Sequence, residues 1–283
     1  MSSSNGGLFA GKKGLILGVA NDRSLAWAIA KFVMDQGGVC GFSHLPDRAD
    51  DAKQKNRLRV SKCTDQYPAD KAKILGPMDV QKDDDIRAIM EAAKKEFGQI
   101  DFLVHAIAYA KLDDLKVDTV QTSRDGFNLA MEISAYSLIA VTNAARDVLK
   151  DGSSIVTLTY FGGEKAVPGY NVMGVCKAAL DSIVKYLAYD LGPRGIRMNA
   201  VSAGPVRTLA GSAAGVDDMQ RLYEKMAPLG RNITHEEVGA TGGFLLSDLS
   251  GGITGEILHL DGGYNVMGSP GRLLDAAKDM GAK

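Results

Sequence analysis

Short uninterrupted apolar runs alternate along the chain with longer stretches of helical spacing. The run "KKGLILGV" follows two lysines and predicts a buried first strand. "SLAWAIAKFVMDQGG" carries helical spacing and closes on a glycine pair, a common helix stop. "VCGFSH" predicts a second strand, and "MDV" closes a third. "DDIRAIMEAAKKEFG" predicts an amphipathic helix with acids at its start and Gly98 past its end, as the helix dipole and C-cap rules favour. "IDFLVHAIA", "SSIVTLTY" and "IRMNAVSAG" read as further buried strands, and "GEILHLDGG" as a last strand running into a glycine turn. Helices are predicted over 126–149, 169–191 and 236–247. Strands without polar alternation, separated by helices, predict a parallel sheet covered on both faces. Right-handed crossovers then give a single doubly wound α/β domain of Rossmann type with about seven strands over residues 1–283. The stretch 204–230 lacks strand signals and contains a small-residue loop; it is the segment expected to move over a site.

Composition narrows the function classes. The chain is 45% hydrophobic and 24% charged with a net charge of −1, the balance of an ordinary globular protein. Such a charge supplies no attraction for nucleic acid or an anionic membrane, so neither is expected as a partner. Cys40, Cys63 and Cys176 stand far apart and are expected to be buried or incidental thiols in a reducing compartment. The four histidines are equally scattered, which gives a metal site no support. The start "MSSSNGGLFAGKKG" has no apolar core of signal-peptide length. No window approaches about 18 uninterrupted apolar residues. A cytoplasmic protein with a flexible leader over about 1–10 is expected.

Candidate chemistry begins after the first strand, in "GVANDRSLAWAIA". Gly18 holds the tight-turn position of a dinucleotide loop. Ser24 suits a helix N-cap whose hydroxyl and neighbouring amides bind a pyrophosphate, with Ala26 keeping the helix start slim. A ligand-free strand–loop–helix is the alternative. Asp79 and Val80 end the third strand and Ile107 the fourth, at carboxyl ends where a dinucleotide lies. Asp79 suits a bond from an adenine amino group, or simply a loop acid or helix cap.

Tyr170 and Lys177 lie seven residues apart. That is two helical turns, about 10.5 Å along the axis and within roughly 20° of one face. If Pro168 and Gly169 start the helix, both side chains point the same way, with a groove along Gly174 and Ala178. A core tyrosine with a solvated lysine is the alternative reading. Tyr67 and Lys71 in "YPADK" have the closer spacing usual among short-chain dehydrogenases, but they sit in a polar connection and are set aside.

The stretches "TLTYFGGEKAVPGYNVMGVCKAAL", "NAVSAGPVRTLA" and "LHLDGGY" resemble the NADH-dependent, bacterial type I enoyl-acyl-carrier-protein reductases, which belong to the short-chain dehydrogenase superfamily. The likeness extends over residues 8–267 and includes "GVANDRSLAWAIA", "HAIAYA" and "SDLSGGITGE". In this family the tyrosine and lysine are separated by six residues, as here. The resemblance implies hydride transfer from NADH to C3 of a trans-2-enoyl thioester carried by acyl carrier protein, in a homotetramer formed through the helices at 126–149 and 169–191. It implies that Tyr170 contacts the thioester carbonyl, that Lys177 binds the cofactor, and that Tyr160 is a second active-site tyrosine. It implies cofactor contacts from Gly18, Ser24, Leu25, Asp79, Val80, Ile107, Val206, Arg207, Thr208, Leu209 and Ala210, and a substrate-lining Ala110. Two positions depart from the pattern. Ala108 replaces a glycine after Ile107, and Leu45 stands where a glutamine near the adenosine is common. The tail beyond Gly268 has no functional reading.

NADH is expected over NADPH. Ser43, His44 and Leu45 end the second strand without an Arg or Lys for a 2′-phosphate. Arg48 is flanked by Asp47 and Asp50, and a place in the next helix would turn it to solvent. Two rival readings are another short-chain reductase, which would place a lysine at position 174, and a catalytically silent dinucleotide-binding regulator.

Overall fold

The structure, a computed structural model, describes residues 7–208 and 216–270. Seven parallel strands form one sheet in the order β3-β2-β1-β4-β5-β6-β7. They are β1 Lys13–Leu17, β2 Val39–His44, β3 Ala72–Pro77, β4 Ile100–His105, β5 Leu149–Thr159, β6 Arg197–Ala203 and β7 Ile257–Leu260. The order reverses between β1 and β4, which pair directly, Gly14 opposite Phe102 through Leu17 opposite His105. At that reversal the crossovers leave in opposite directions and open a crevice at the carboxyl edge. The doubly wound α/β expectation is met.

Both faces of the sheet are covered. Period-2 alternation sends Ile16 into one core with Trp27, Ile29, Val33 and Phe102, and sends Leu15 and Leu17 into the other with Ile86, Ile89, Leu138 and Val184. The first core is closed by α1 (Leu25–Asp35), the second by α3 (Asp83–Phe97) and the long α7 (Asn171–Leu191). Each such side chain contributes about 1.5–3 kcal/mol on leaving water. The inner strands β1 and β4 read as nearly solid apolar runs because neither face meets solvent.

Several boundaries differ from expectation. The polar connection after β2 contains a helix, α2 (Lys55–Thr64), whose buried side is only Val60, Cys63 and Thr64. The helix expected over 126–149 is three pieces: α5 (Arg124–Met131), a π-helical turn at Glu132–Tyr136, and α6 (Ser137–Ala145). It stops short because Leu149 already pairs with Ile100 as the first residue of β5. A short α4 (Leu112–Leu115) precedes them, and α8 (Val216–Met226) and α9 (His235–Leu246) follow β6. The third strand ends at Pro77 and the fourth at His105, so Asp79, Val80 and Ile107 lie in the loops just beyond. Of the expected leader, residues 1–6 lie outside the described residues, and the rest is folded: Phe9 is fully buried, edge-on to Phe102. Tyr67 packs edge-on against Trp27 and donates to Asp35 at 2.7 Å, a structural role that accords with setting it aside. No described helix is long and apolar enough to cross a membrane.

Candidate active site

The loop after β1 is shaped for a close approach. Gly18 has φ +100°, and a Cβ there would stand 2.1 Å from the Ala106 carbonyl oxygen. Only glycine lets the ends of β1 and β4 converge at the reversal point. Ser24 is the N-cap residue of α1, but its hydroxyl accepts from the amides of Ala20 and Asn21, at 2.9 and 3.1 Å, instead of capping the helix. The serine therefore folds the loop back and leaves the helix start, at Leu25, without a side-chain cap. A helix N-terminus without its side-chain cap, beside a carboxyl-edge crevice, suits a pyrophosphate. The residues present fit a dinucleotide.

The other expected cofactor positions stand along the same edge. Asp79 accepts from the Gln81 amide at 3.1 Å and is half-buried, with Val80 buried beside it. Ile107 is half-buried past β4, and Ala108 is exposed. Val206 is buried; Arg207 is exposed and paired with Asp217 at 2.9 Å; Thr208 is half-buried. Leu209 and Ala210 lie outside the described residues. Leu45 is largely exposed just past β2, where His44 is buried with Nδ1 3.0 Å from the Leu45 carbonyl. Arg48 belongs to the exposed loop before α2 and not to that helix, because Asp47, accepting from the amides of Asn56 and Arg57, holds the helix start further along.

Tyr160 directly follows β5 and Tyr170 directly precedes α7, so the helix begins at Asn171, two residues later than the expected 169. Their rings meet edge to face, with centroids 4.7 Å apart. Gly162 makes this contact possible: a Cβ there would lie 2.6 Å from Cδ1 of Tyr170 and 3.2 Å from Cδ1 of Tyr160. The groove expected along Gly174 and Ala178 is present, lined also by Tyr170 and Val167. The turn at Gly162 borders it closely: a Cβ on Gly174 would meet the Gly162 carbonyl at 2.8 Å, so a lysine at position 174 would collide with that turn. Asn171, at φ +29°, reaches the carbonyls of Leu115 and Val117 and fixes the turn into α7. Ala110 packs with the small cluster of Ala130, Val172 and Cys176 against the same helix.

Lys177 is buried on the inner side of α7 and donates to the Leu158 carbonyl at 2.8 Å. Burial lowers its pKa to about 8, with the carboxylate of Asp181 one turn away opposing the shift. Behind it, His105 is held between Thr157 Oγ1 and Ser137 Oγ, at 3.2 and 2.8 Å. Burial, and secondly the Lys177 charge, lower His105 to about 3, so the imidazole is neutral. Burial raises Tyr160 to about 12, and raises Tyr170 as well with Tyr160 as the next cause. At neutral pH both phenols hold their protons and Lys177 is mostly charged. Two neutral donors beside one cation are equipped to receive an oxyanion, not to act as resting bases.

Tyr223 of α8 and Tyr264, just past β7, also reach this site, although only Tyr264 falls within a quoted motif. Tyr223 is buried, donates to the Tyr160 hydroxyl at 3.2 Å, and stacks on Tyr264. Its only sequence signal is a place in an amphipathic segment, which does not separate it from its neighbours.

Comparison with known proteins identifies the family and the fold. The family profile described as Enoyl-(Acyl carrier protein) reductase matches residues 18–265. An enoyl-acyl-carrier-protein reductase (NADH), FabI, of Bacillus cereus is 47% identical over 92% of this chain and 99% of its own length. The protein of that description from Nostoc sp. is 46% identical over 91% and 98%. A crystal structure of the Bacillus cereus reductase with NADP+ and indole naphthyridinone has TM-score 0.87 at 45% identity, covering 93% of this chain and 100% of that one. The Anaplasma phagocytophilum reductase with NAD has TM-score 0.86 at 43% identity over 95% and 99%. The chain belongs to the enoyl-acyl-carrier-protein reductase family.

Proposed function

We propose that this protein reduces the C2–C3 double bond of a trans-2-enoyl thioester on acyl carrier protein, using NADH. The observation that carries the reading is the pair of packed, protonated phenols, Tyr160 and Tyr170, beside buried Lys177 at the carboxyl edge of the sheet. Bound NADH supplies the hydride for C3. Negative charge then gathers on the thioester oxygen as an enolate, and a proton from solvent adds at C2 to give the saturated thioester. Tyr170 donates to that oxygen, an interaction stronger in the transition state than in the ground state. Lys177 holds the nicotinamide ribose and adds positive potential, while Gly18, Ser24 and Leu25 receive the pyrophosphate and Asp79, Val80 and Ile107 flank the adenosine side. Ala110 lines the acyl site.

Gly162 tests the phenol geometry. Gly162→Ala is expected to push the Tyr170 ring away from its place and lower kcat by roughly 10–100-fold, the scale of an ångström-sized misplacement. NADH affinity should hold. Steady-state kinetics decide it, and an unchanged kcat would show that the close contact with Gly162 does not set the phenol's position.

The reading includes a cytoplasmic location, one domain, and a homotetramer joined through α5, α6 and α7. Ile139, Val175, Tyr186 and Tyr189 on these helices are exposed apolar side chains that such contacts would cover.

Cofactor choice supplies the direct experiment. A 2′-phosphate past β2 would meet exposed Leu45 and buried His44, with Arg48 in an exposed loop. Loss of NADH absorbance with a trans-2-enoyl thioester is expected, with kcat/KM for NADH above that for NADPH. The NADP+ in the Bacillus cereus structure makes NADPH the second candidate. Equal or higher kcat/KM with NADPH would refute the preference and point to Arg48; no turnover with either would refute the reductase reading.

A further inference from the structure

We infer that Tyr223 is a positioning residue for Tyr160: from α8 it sets the direction of the Tyr160 hydroxyl by donating a hydrogen bond to it. The inference rests on the reductase reading above and adds a residue to its site. The Tyr223 oxygen lies 3.2 Å from the Tyr160 oxygen, and Tyr223 is only 3% exposed. A phenol has one proton, so the acceptor in such a pair keeps its own proton for another partner. Tyr160 is therefore left aiming its O–H away from Tyr223, while its ring holds Tyr170 edge-on.

Tyr223 is itself clamped. Its ring lies face to face on Tyr264, with centroids 3.9 Å apart and 10° between planes. Gly204 adjoins the ring: a Cβ built there would be in ordinary contact with Cε1 of Tyr223 at 3.4 Å. Tyr264 follows a turn tied by Asp261, whose carboxylate accepts from the amides of Gly263 and Asn265 at 2.9 Å each. The helix is tied too: Gln220 donates to the Pro205 carbonyl at 3.2 Å, and Asn232 donates to the Gln220 carbonyl at 3.1 Å. A ring stacked on Tyr264, on a helix tied through Gln220, gives its hydroxyl one direction. Burial, with Tyr160 as the next cause, raises the Tyr223 pKa far above the ordinary range, so it remains a donor throughout the working pH range.

Tyr223→Phe keeps the ring and its stack and removes only the donor. With NADH and a trans-2-enoyl thioester it is expected to lower kcat by about 3–10-fold, the scale of one neutral hydrogen bond, with KM and NADH affinity held. The double variant Tyr160→Phe/Tyr223→Phe should be no slower than Tyr160→Phe, because one contact is being removed twice. Losses that multiply, or an unchanged kcat in Tyr223→Phe, would overturn the inference. A readout without turnover accompanies this. Amide hydrogen exchange across Val216–Met226 should rise equally in both single variants and no further in the double. Exchange equal to wild type in either single variant would refute the contact. Wild-type protein inert toward enoyl thioesters would refute the reductase reading, and with it the catalytic part of this one, while the exchange comparison still decides the contact.

Discussion

Tyr170→Phe is expected to lower kcat for a trans-2-enoyl thioester by roughly 10–1,000-fold, the range for loss of one oxyanion donor. The ring would stay, edge-on to Tyr160 with centroids 4.7 Å apart, so the fold around it should be retained. What disappears is the donor proposed to meet the enolate oxygen, where charge appears only as C3 is reduced. The loss should fall on kcat more than on KM, since a neutral carbonyl in the ground state uses the bond less. NADH affinity, measured by calorimetry, should barely move. Burial holds the Tyr170 proton to well above the ordinary phenol range. The ratio of wild-type to variant kcat should therefore be flat from mildly acidic to mildly alkaline pH. A variant turning over at the wild-type rate would remove Tyr170 from the catalytic role. A ratio that collapsed at neutral pH would mean that the phenol ionises there.

The parts of this site that were legible in the sequence are those carried by local spacing. Tyr170 and Gly18 each sit at a helix or strand boundary, where apolar periodicity changes and a glycine or proline marks the turn, and Lys177 follows two helical turns inside α7. The inner strands were legible because burial on both faces makes them nearly uninterrupted apolar runs, whereas the half-exposed edge strand β3 gave no such run. Helix α2 was not, since only Val60, Cys63 and Thr64 of it are buried and its charged surface imitates a loop. The end of the helix near position 149 was hidden for a different reason. Leu149 is apolar and continues the helical spacing, but pairing with Ile100 draws it into β5. The groove along Gly174 and Ala178 was legible from their small size, but the turn at Gly162 that borders it was not, with the Gly162 carbonyl 2.8 Å from a Cβ at 174. Tyr223 was beyond reach because its partner is 63 residues away, and nothing local distinguishes a phenol aimed inward from one on a solvated helix face. Asp181 shows the same limit: it reads as a helix-surface acid, yet it is buried one turn below Lys177.

Lys177→Ala is expected to weaken NADH binding itself by about 1–3 kcal/mol, the value of a charge-assisted hydrogen bond, or roughly 5–150-fold in Kd. The ammonium is buried and held toward the sheet by the Leu158 carbonyl at 2.8 Å, so under the proposed ribose contact it is oriented before the cofactor arrives. Arginine should not rescue the loss, because its planar fork cannot occupy a site built around a compact ammonium. Removing the cation also leaves the Asp181 carboxyl, which burial already raises, without the positive charge that lowers it. Lys177→Met, which keeps the aliphatic stem, therefore accompanies the alanine variant to separate binding from folding. The pH dependence gives the sharper test. Burial lowers Lys177 to about 8, so the charged form is present below that pH and is lost as pH rises through it. Wild-type Kd for NADH should rise above about pH 8, by up to about tenfold per unit, and the alanine and methionine variants should be flat there. The stability contribution runs the other way. Between about 8 and the ordinary lysine value of 10.5 the unfolded chain still holds the proton that the folded chain has released, so for this group stability rises with pH while cofactor affinity falls. Cys176 and Tyr160, raised by burial to about 11 and about 12, titrate above that window and leave it to Lys177. Calorimetry across the window in wild type and both variants decides the assignment: a wild-type Kd that is flat through it, or equal to that of the variants, would place the ribose contact elsewhere.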